Sequence, residues 1–123
     1  MAKKTTKVQK RDSYSVGKGT RDITAAVDVG LGQIGTVAMF VEKKPIVDGE
    51  APIAPESLGE GNTLKDKLLL VEATVTDVSV MTNKMSVVVR LNGGRTTKKV
   101  TAAGEVAEDG DSIFFQIFVL FEE

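Results

Sequence analysis

Apolar and polar positions alternate along much of the chain from residue 22 onward. The alternation is clearest in three segments, residues 23–29, 67–76 and 85–92. A period of two places successive side chains on opposite faces of an extended strand. Each of these segments is therefore predicted to be a β-strand with one buried face.

Two further runs, residues 34–41 and 113–121, are apolar at almost every position. Such runs are typical of strands that are covered on both faces. In the second run one face carries Ile113, Phe115, Ile117, Val119 and Phe121, and the other carries Phe114, Phe118 and Leu120 around Gln116. A strand of a sandwich needs one apolar face only. Either a loop of the same chain or another subunit covers the second face, so Phe114, Phe118 and Leu120 are the candidate oligomer interface.

Turn residues divide these strands at fairly regular intervals. Asn92-Gly93-Gly94 is the strongest hairpin signal, because these residues tolerate a positive φ. The Thr-rich segment 95–101 is predicted to be an exposed or edge strand, and residues 108–111 a turn. The one short candidate for a helix, residues 102–108, is broken by Gly104. The expected fold is all-β, an antiparallel β-sandwich (or barrel) of about seven strands.

Residues 45–64 contain all three prolines of the chain. This composition predicts a long irregular connection, or a short strand at residues 46–47 flanked by loops. Connections of this length inside a domain are unusual unless they carry a function or cover the edge of a sheet. Both interpretations stay open.

Charge is distributed unevenly over the 123 residues. Residues 1–21 hold seven basic residues and one acidic residue, whereas the remainder holds nine basic and sixteen acidic residues. The first segment has few large apolar side chains and cannot offset the entropy lost on ordering. The predicted organisation is a flexible basic arm over 1–21 and a single β domain over 22–123.

The basic arm suggests partners but does not decide between them. It could bind nucleic acid by releasing counterions, although the acidic body would repel phosphate and Tyr14 is the arm's only stacking platform. A role in solubility, or docking on the acidic body of a neighbouring copy, fits at least as well, so nucleic acid is the less favoured partner. No apolar run reaches the ~18 residues of a membrane span and no signal peptide is visible, so the cytoplasm is the expected location.

The residue types exclude several classes of chemistry. The chain has no Cys and no His, which excludes thiol nucleophiles, Cys/His zinc sites and a His general base. Residues 30–35 match G-x-G-x-x-G, but a β-like segment and Pro45 follow where a nucleotide fold needs a helix, so a hairpin turn is predicted. The acidic turn 108–111 does not have the spacing of a calcium loop. No cofactor, metal or catalytic residue is expected.

These observations favour a non-catalytic structural or interaction subunit that self-associates through sheet faces or edges. Its general character is that of small β proteins in phage or secretion assemblies. The alternative is a ligand-binding β-sandwich module for an apolar or carbohydrate ligand, with residues 45–64 as the rim. With aromatic residues at 5% and no Trp, a sugar-reading site is the less favoured of the two ligand classes. Mass in solution distinguishes an assembly subunit from a monomeric binding module.

Overall fold

The computed structural model describes residues 4–123, which form two packed β-sheets. The strands are β1 (Thr5–Ser15), β2 (Asp22–Val29), β3 (Ile34–Val41), β4 (Lys44–Glu50), β5 (Ile53–Glu60), β6 (Leu68–Thr76), β7 (Lys84–Asn92), β8 (Lys98–Glu105) and β9 (Ser112–Glu122). A single-turn helix, α1 (Gly61–Leu64), precedes β6. The predicted all-β sandwich is confirmed, with nine strands in the described residues instead of about seven.

The strands form a five-stranded sheet in the order β1-β9-β6-β3-β4 and a four-stranded sheet in the order β5-β2-β7-β8. Neighbouring strands are antiparallel, except that β1 is parallel to β9. Across the two layers β1 contacts β8, and β4 contacts β5. The sandwich therefore has two lateral ends, one formed by β1 and β8 and the other by β4 and β5.

The core lies between the inner faces of the two sheets. The predicted inner face of β9, Ile113, Phe115, Ile117, Val119 and Phe121, is at most 1% exposed. The inward residues of β6 and β7 are buried in the same alternating manner. Each large apolar side chain buried here contributes about 1.5–3 kcal/mol. The assignment of faces from the period of two is thus confirmed for these strands.

The expected flexible arm is corrected by the structure, because Thr5–Ser15 forms an edge strand paired with β9 along its whole length. Two side chains anchor it: Tyr14 and Val16 are buried in the core. The Tyr14 hydroxyl donates to the carbonyl of Thr96 and accepts a hydrogen bond from the Gly94 N–H. Backbone pairing and these anchors order the segment despite its charge. Residues 1–3 of the predicted arm lie outside the described residues.

The expected irregular connection over 45–64 is also wrong, because the segment forms two edge strands. Strand β4 pairs with β3, and β5 pairs with β2, so the chain crosses from one sheet to the other between them. Pro45 and Pro55 are tolerated because an edge strand needs no backbone donor on its open side. The prolines therefore mark the edges of the sheets.

The hairpin predicted at Asn92-Gly93-Gly94 joins β7 to β8, as expected. Gly93 has a φ of +98°, and a Cβ placed on it would lie 2.1 Å from the carbonyl oxygen of Asp22. Both the backbone conformation and the space require glycine there. The segment 102–105 belongs to β8 and is not helical.

Candidate functional site

The outer face of the five-stranded sheet carries a contiguous group of apolar side chains. Phe118 of β9 lies opposite Leu70 of β6, and Leu70 lies opposite Phe40 of β3. In the next row Leu120 lies opposite Leu68. We call these five residues the apolar patch. It spans the three central strands of the sheet, because their outward positions fall in the same rows.

The patch forms the floor of an open depression of about 420 Å³. Phe40, Leu68, Leu70 and Phe118 line it, and Glu42, Lys43 and Glu72 complete its wall. Leu68 is 36% exposed and Leu120 is 41% exposed, which is high for side chains of this size. The volume falls within the range of ligand pockets, so the depression can take apolar side chains of a partner or a small apolar molecule.

The structure divides the predicted interface residues between two places. Phe118 and Leu120 belong to the apolar patch, whereas Phe114 lies opposite Thr74, on the far side of Gln116. The Gln116 row is polar: the Gln116 side chain donates to Glu72 at 2.9 Å and accepts from Gln9 at 2.9 Å. Phe114 is therefore separated from the patch by a hydrogen-bonded polar row.

Sequence reasoning did not assign Phe40, Leu68 and Leu70 to this surface. The signals were present, since residues 34–41 are apolar on both faces and both leucines alternate with the inward side chains of their strand. Only the register between β3, β6 and β9 shows that these residues meet.

Arg11 limits the patch on the side of β1. It lies opposite Phe118 in the sheet, and its guanidinium carbon is 5.1 Å from the centre of the Phe118 ring. A cation at this distance over an aromatic face makes a favourable cation–π contact. The contact keeps a positive charge at the border of the apolar patch.

A second apolar surface lies at the other end of β6, in the loop 77–83. Val80 is 91% exposed and Met81 is 88% exposed. The loop is held by the buried side chain of Gln33, which accepts from the N–H groups of Val78 and Ser79 at 2.8 and 2.9 Å. The Gln33 amide also donates to the Asp77 carboxylate at 2.7 Å and to the carbonyls of Thr82, in the loop, and Lys84, at the start of β7.

The G-x-G-x-x-G segment is thereby assigned a structural role. It connects β2 to β3 across the two sheets, so it is a turn, as predicted, but not a hairpin. Its fourth residue is Gln33, the side chain that orders the 77–83 loop. No helix follows it, since β3 begins at Ile34.

Two carboxylates have a lowered pKa because lysine side chains from distant segments bind them. The hydrogen bond from Lys98, 2.7 Å from the Asp12 carboxylate, lowers the pKa of Asp12 below 3.8 and links β1 to β8. The pKa of Glu123 is lowered below 4.5 by its bonds to Lys18 and Lys65. Each carboxylate is thus kept ionised by a lysine partner.

The acidic turn at 108–111 is a connection between strands. Asp111 is buried and accepts the Lys4 N–H at 3.1 Å, and the Gly110 N–H donates to the carbonyl of Asp77. Residues 4–123 contain no group of three or more metal-ligating side chains suited to an ion. Within the same residues, no helix has the length and apolar character needed to cross a membrane.

No protein-family model, curated protein sequence or solved structure matches this chain.

Proposed function

We propose that the protein is a non-catalytic structural subunit that self-associates through the outer face of its five-stranded sheet, in the cytoplasm. The observation that carries the proposal is the unbroken apolar row of Phe118, Leu70 and Phe40 across three central strands. Apolar groups at the centre of a sheet face cost free energy in water, and their burial contributes ~25 cal/mol per Å². Contiguous exposed apolar patches are typical of interaction sites.

The border of the patch favours a second copy of this chain as the partner. Glu42 and Lys43 lie side by side at the turn between β3 and β4, and Arg11 lies on the opposite side of the patch. A two-fold interface brings the same surface of two copies together, so it requires a surface that complements itself. Adjacent charges of both signs meet this requirement, because each acidic group can face a basic group of the other copy.

A ligand-binding module for an apolar ligand is the second candidate, supported by the volume of the depression. The sequence predicted residues 45–64 as the rim of the ligand site, but these residues form β4, β5 and α1. The Glu42–Lys43 turn borders the depression instead. Phenylalanine and leucine side chains dominate the lining, which favours an apolar ligand over a carbohydrate.

Light scattering coupled to size exclusion tests the proposal. We expect a wild-type mass that rises with concentration above the 13.1 kDa of one chain. Phe118→Ser should lower this mass, because it removes the contact through the patch, without changing the circular dichroism spectrum. Val80→Ser is the matched control, because it removes an exposed apolar side chain outside the patch.

Two results would count against the proposal. A wild-type protein that stays monomeric up to millimolar concentration would contradict self-association. If that monomer also binds an apolar fluorescent dye, and Phe118→Ser abolishes the binding, the ligand-binding module becomes the better interpretation.

A further inference from the structure

The two lateral ends of the sandwich have opposite net charge. Strands β1 and β8 together hold five basic and two acidic residues. Strands β4 and β5 hold one basic and four acidic residues. The ion pairs found among residues 4–123 involve neither Lys7 of β1 nor Glu50 of β4. Both ends therefore carry exposed charges that are complementary to each other but too far apart to meet within one chain.

The register of the five-stranded sheet places these charges in the same transverse row. Glu50 lies opposite Thr36, which lies opposite Thr74. Thr74 lies opposite Phe114, and Phe114 is level with Lys7. One row of the sheet thus begins with a carboxylate on the β4 edge and ends with an ammonium group on the β1 edge.

A second row shows the same arrangement with the signs reversed. It begins at Lys44 on β4 and passes through Val41 and Leu69. It continues through Val119 and ends at Asp12 on β1. Asp12, however, is already paired with Lys98 at 2.7 Å, and Lys44 precedes Pro45, which has no N–H. The first row, which ends in Lys7 and Glu50, is therefore the row available for a contact between copies.

The direction of the edge strands also suits pairing between copies. Strand β1 is parallel to β9, while β9, β6, β3 and β4 alternate in direction. Consequently β1 and β4 run in opposite directions within one chain. If a second copy has the same orientation and extends the sheet, its β4 lies antiparallel to β1 of the first copy. Open antiparallel edges of this kind pair through backbone hydrogen bonds. Pro45 has no N–H and limits the pairing to the residues that follow it.

We infer that the five-stranded sheet continues from one copy to the next, with β1 of one copy paired to β4 of a second copy and Lys7 opposite Glu50. The inference rests on the proposed function, because it requires self-association. The edges use two different surfaces, so this contact is head-to-tail and adds copies in a line or a ring. The apolar patch lies on the sheet face and stays available for the face-to-face contact.

A second copy explains more of the structure than nucleic acid does. A polyanion would use the basic end but would leave the acidic end, β4 and β5, without a role. It would also contact Asp12, whose pKa is lowered so that it stays negatively charged. A contact between Lys7 of one copy and Glu50 of the next uses both ends together.

Charge reversal provides the test. Lys7→Glu and Glu50→Lys should each raise the dissociation constant of the assembly, by roughly fivefold to tenfold, since a like-charge pair replaces an attractive one. The protein with both reversals should assemble nearly as well as wild type. Lys84→Glu is the matched control: it makes the same charge change at an exposed position on β7, which is an interior strand of the four-stranded sheet. Mass by light scattering at low and high salt measures association, and circular dichroism verifies folding.

Three other results would distinguish a failure of the edge pairing from a failure of the proposed function. If both reversals leave the mass unchanged while Phe118→Ser dissociates the protein, the edge pairing is refuted and the proposed function stands. A wild-type protein that is monomeric throughout refutes both. If a fluorescent oligonucleotide binds saturably, Lys7→Glu abolishes that binding, and neither reversal alters the protein's mass, the basic end is a polyanion site and the inference fails.

Discussion

Gln33 makes five hydrogen bonds that help to fix the shape of the 77–83 loop. Its amide satisfies two backbone N–H groups, two carbonyl groups and the Asp77 carboxylate, which is itself buried. Among the described residues no buried side-chain nitrogen or oxygen lacks a partner. The loop is therefore ordered by a buried polar network, and its two exposed apolar side chains, Val80 and Met81, are presented on a fixed backbone.

Gln33→Ala should destabilise the protein by about 2–4 kcal/mol, because it leaves several partially buried groups without a hydrogen bond. Chemical denaturation monitored by circular dichroism measures the change. Gln9→Ala is the control: it removes one exposed hydrogen bond to Gln116 and should cost less than about 1 kcal/mol. Equal losses in the two variants would show that the Gln33 network does not stabilise the fold.

Gly93 is a second residue whose replacement should be costly, because both its positive φ and its close neighbours require glycine. Gly93→Ala should cost about 2 kcal/mol or more, because φ is +98° and the added Cβ would clash with the Asp22 carbonyl. Gly49 has no positive φ, and a Cβ added to it would lie 3.8 Å from Cδ1 of Ile53. Gly49→Ala should therefore leave the stability nearly unchanged. Thermal unfolding compares the two, and a Gly93 variant as stable as wild type would mean that the hairpin relaxes freely.

Strand β1 is one of the elements that the sequence did not reveal, and the reason is physical. Its side chains are mostly charged or polar, so neither hydrophobic periodicity nor burial predicts a strand. It is ordered by backbone pairing to β9, a segment 107 positions away along the chain, as the contact between Gln9 and Gln116 shows. Contacts over such a separation leave no local pattern. By contrast, β6, β7 and β9 each have one buried face and were predictable from their alternation.

The link between β1 and β8 should give the stability a dependence on pH. Hydrogen bonding to Lys98 lowers the pKa of Asp12 below 3.8 in the folded state. This contribution is fully present above the unfolded pKa, and it is lost as the pH falls through the folded value. Asp12→Asn should therefore be less stable than wild type at pH 7, and the difference should shrink below about pH 3.8.

Urea denaturation of both proteins at several pH values measures this difference. Asp28→Asn serves as the control, because its partner Arg90 forms a more exposed pair on the surface. A difference between Asp12→Asn and wild type that stays constant down to pH 2 would show that the Asp12 charge does not stabilise β1.

For the whole molecule, the sandwich class was predictable from the sequence, while the candidate site was predictable in part. Period-two alternation and turn residues determine which side chains face inward, and this correctly divided β9 into two faces. The grouping of Phe40 and Leu70 with Phe118 depends on which strands are neighbours and in what register. Local sequence patterns do not contain that information, because strand pairing is decided by the packing of both sheets at once.

The two faces of β9 provide the prediction that decides between a core and an interface. Phe115 is fully buried between the sheets, so Phe115→Ser should cost about 3–5 kcal/mol and unfold much of the protein at 37 °C. Phe118 lies three residues further along the same strand, on the outer face. Phe118→Ser should leave the protomer folded and weaken its self-association. Both substitutions delete the same ring, so the comparison isolates the effect of the face. Thermal unfolding and light scattering on the same samples measure the two effects. If Phe118→Ser destabilises a monomeric protein as much as Phe115→Ser does, the outer ring contributes to the fold of the protomer, and self-association loses its structural support.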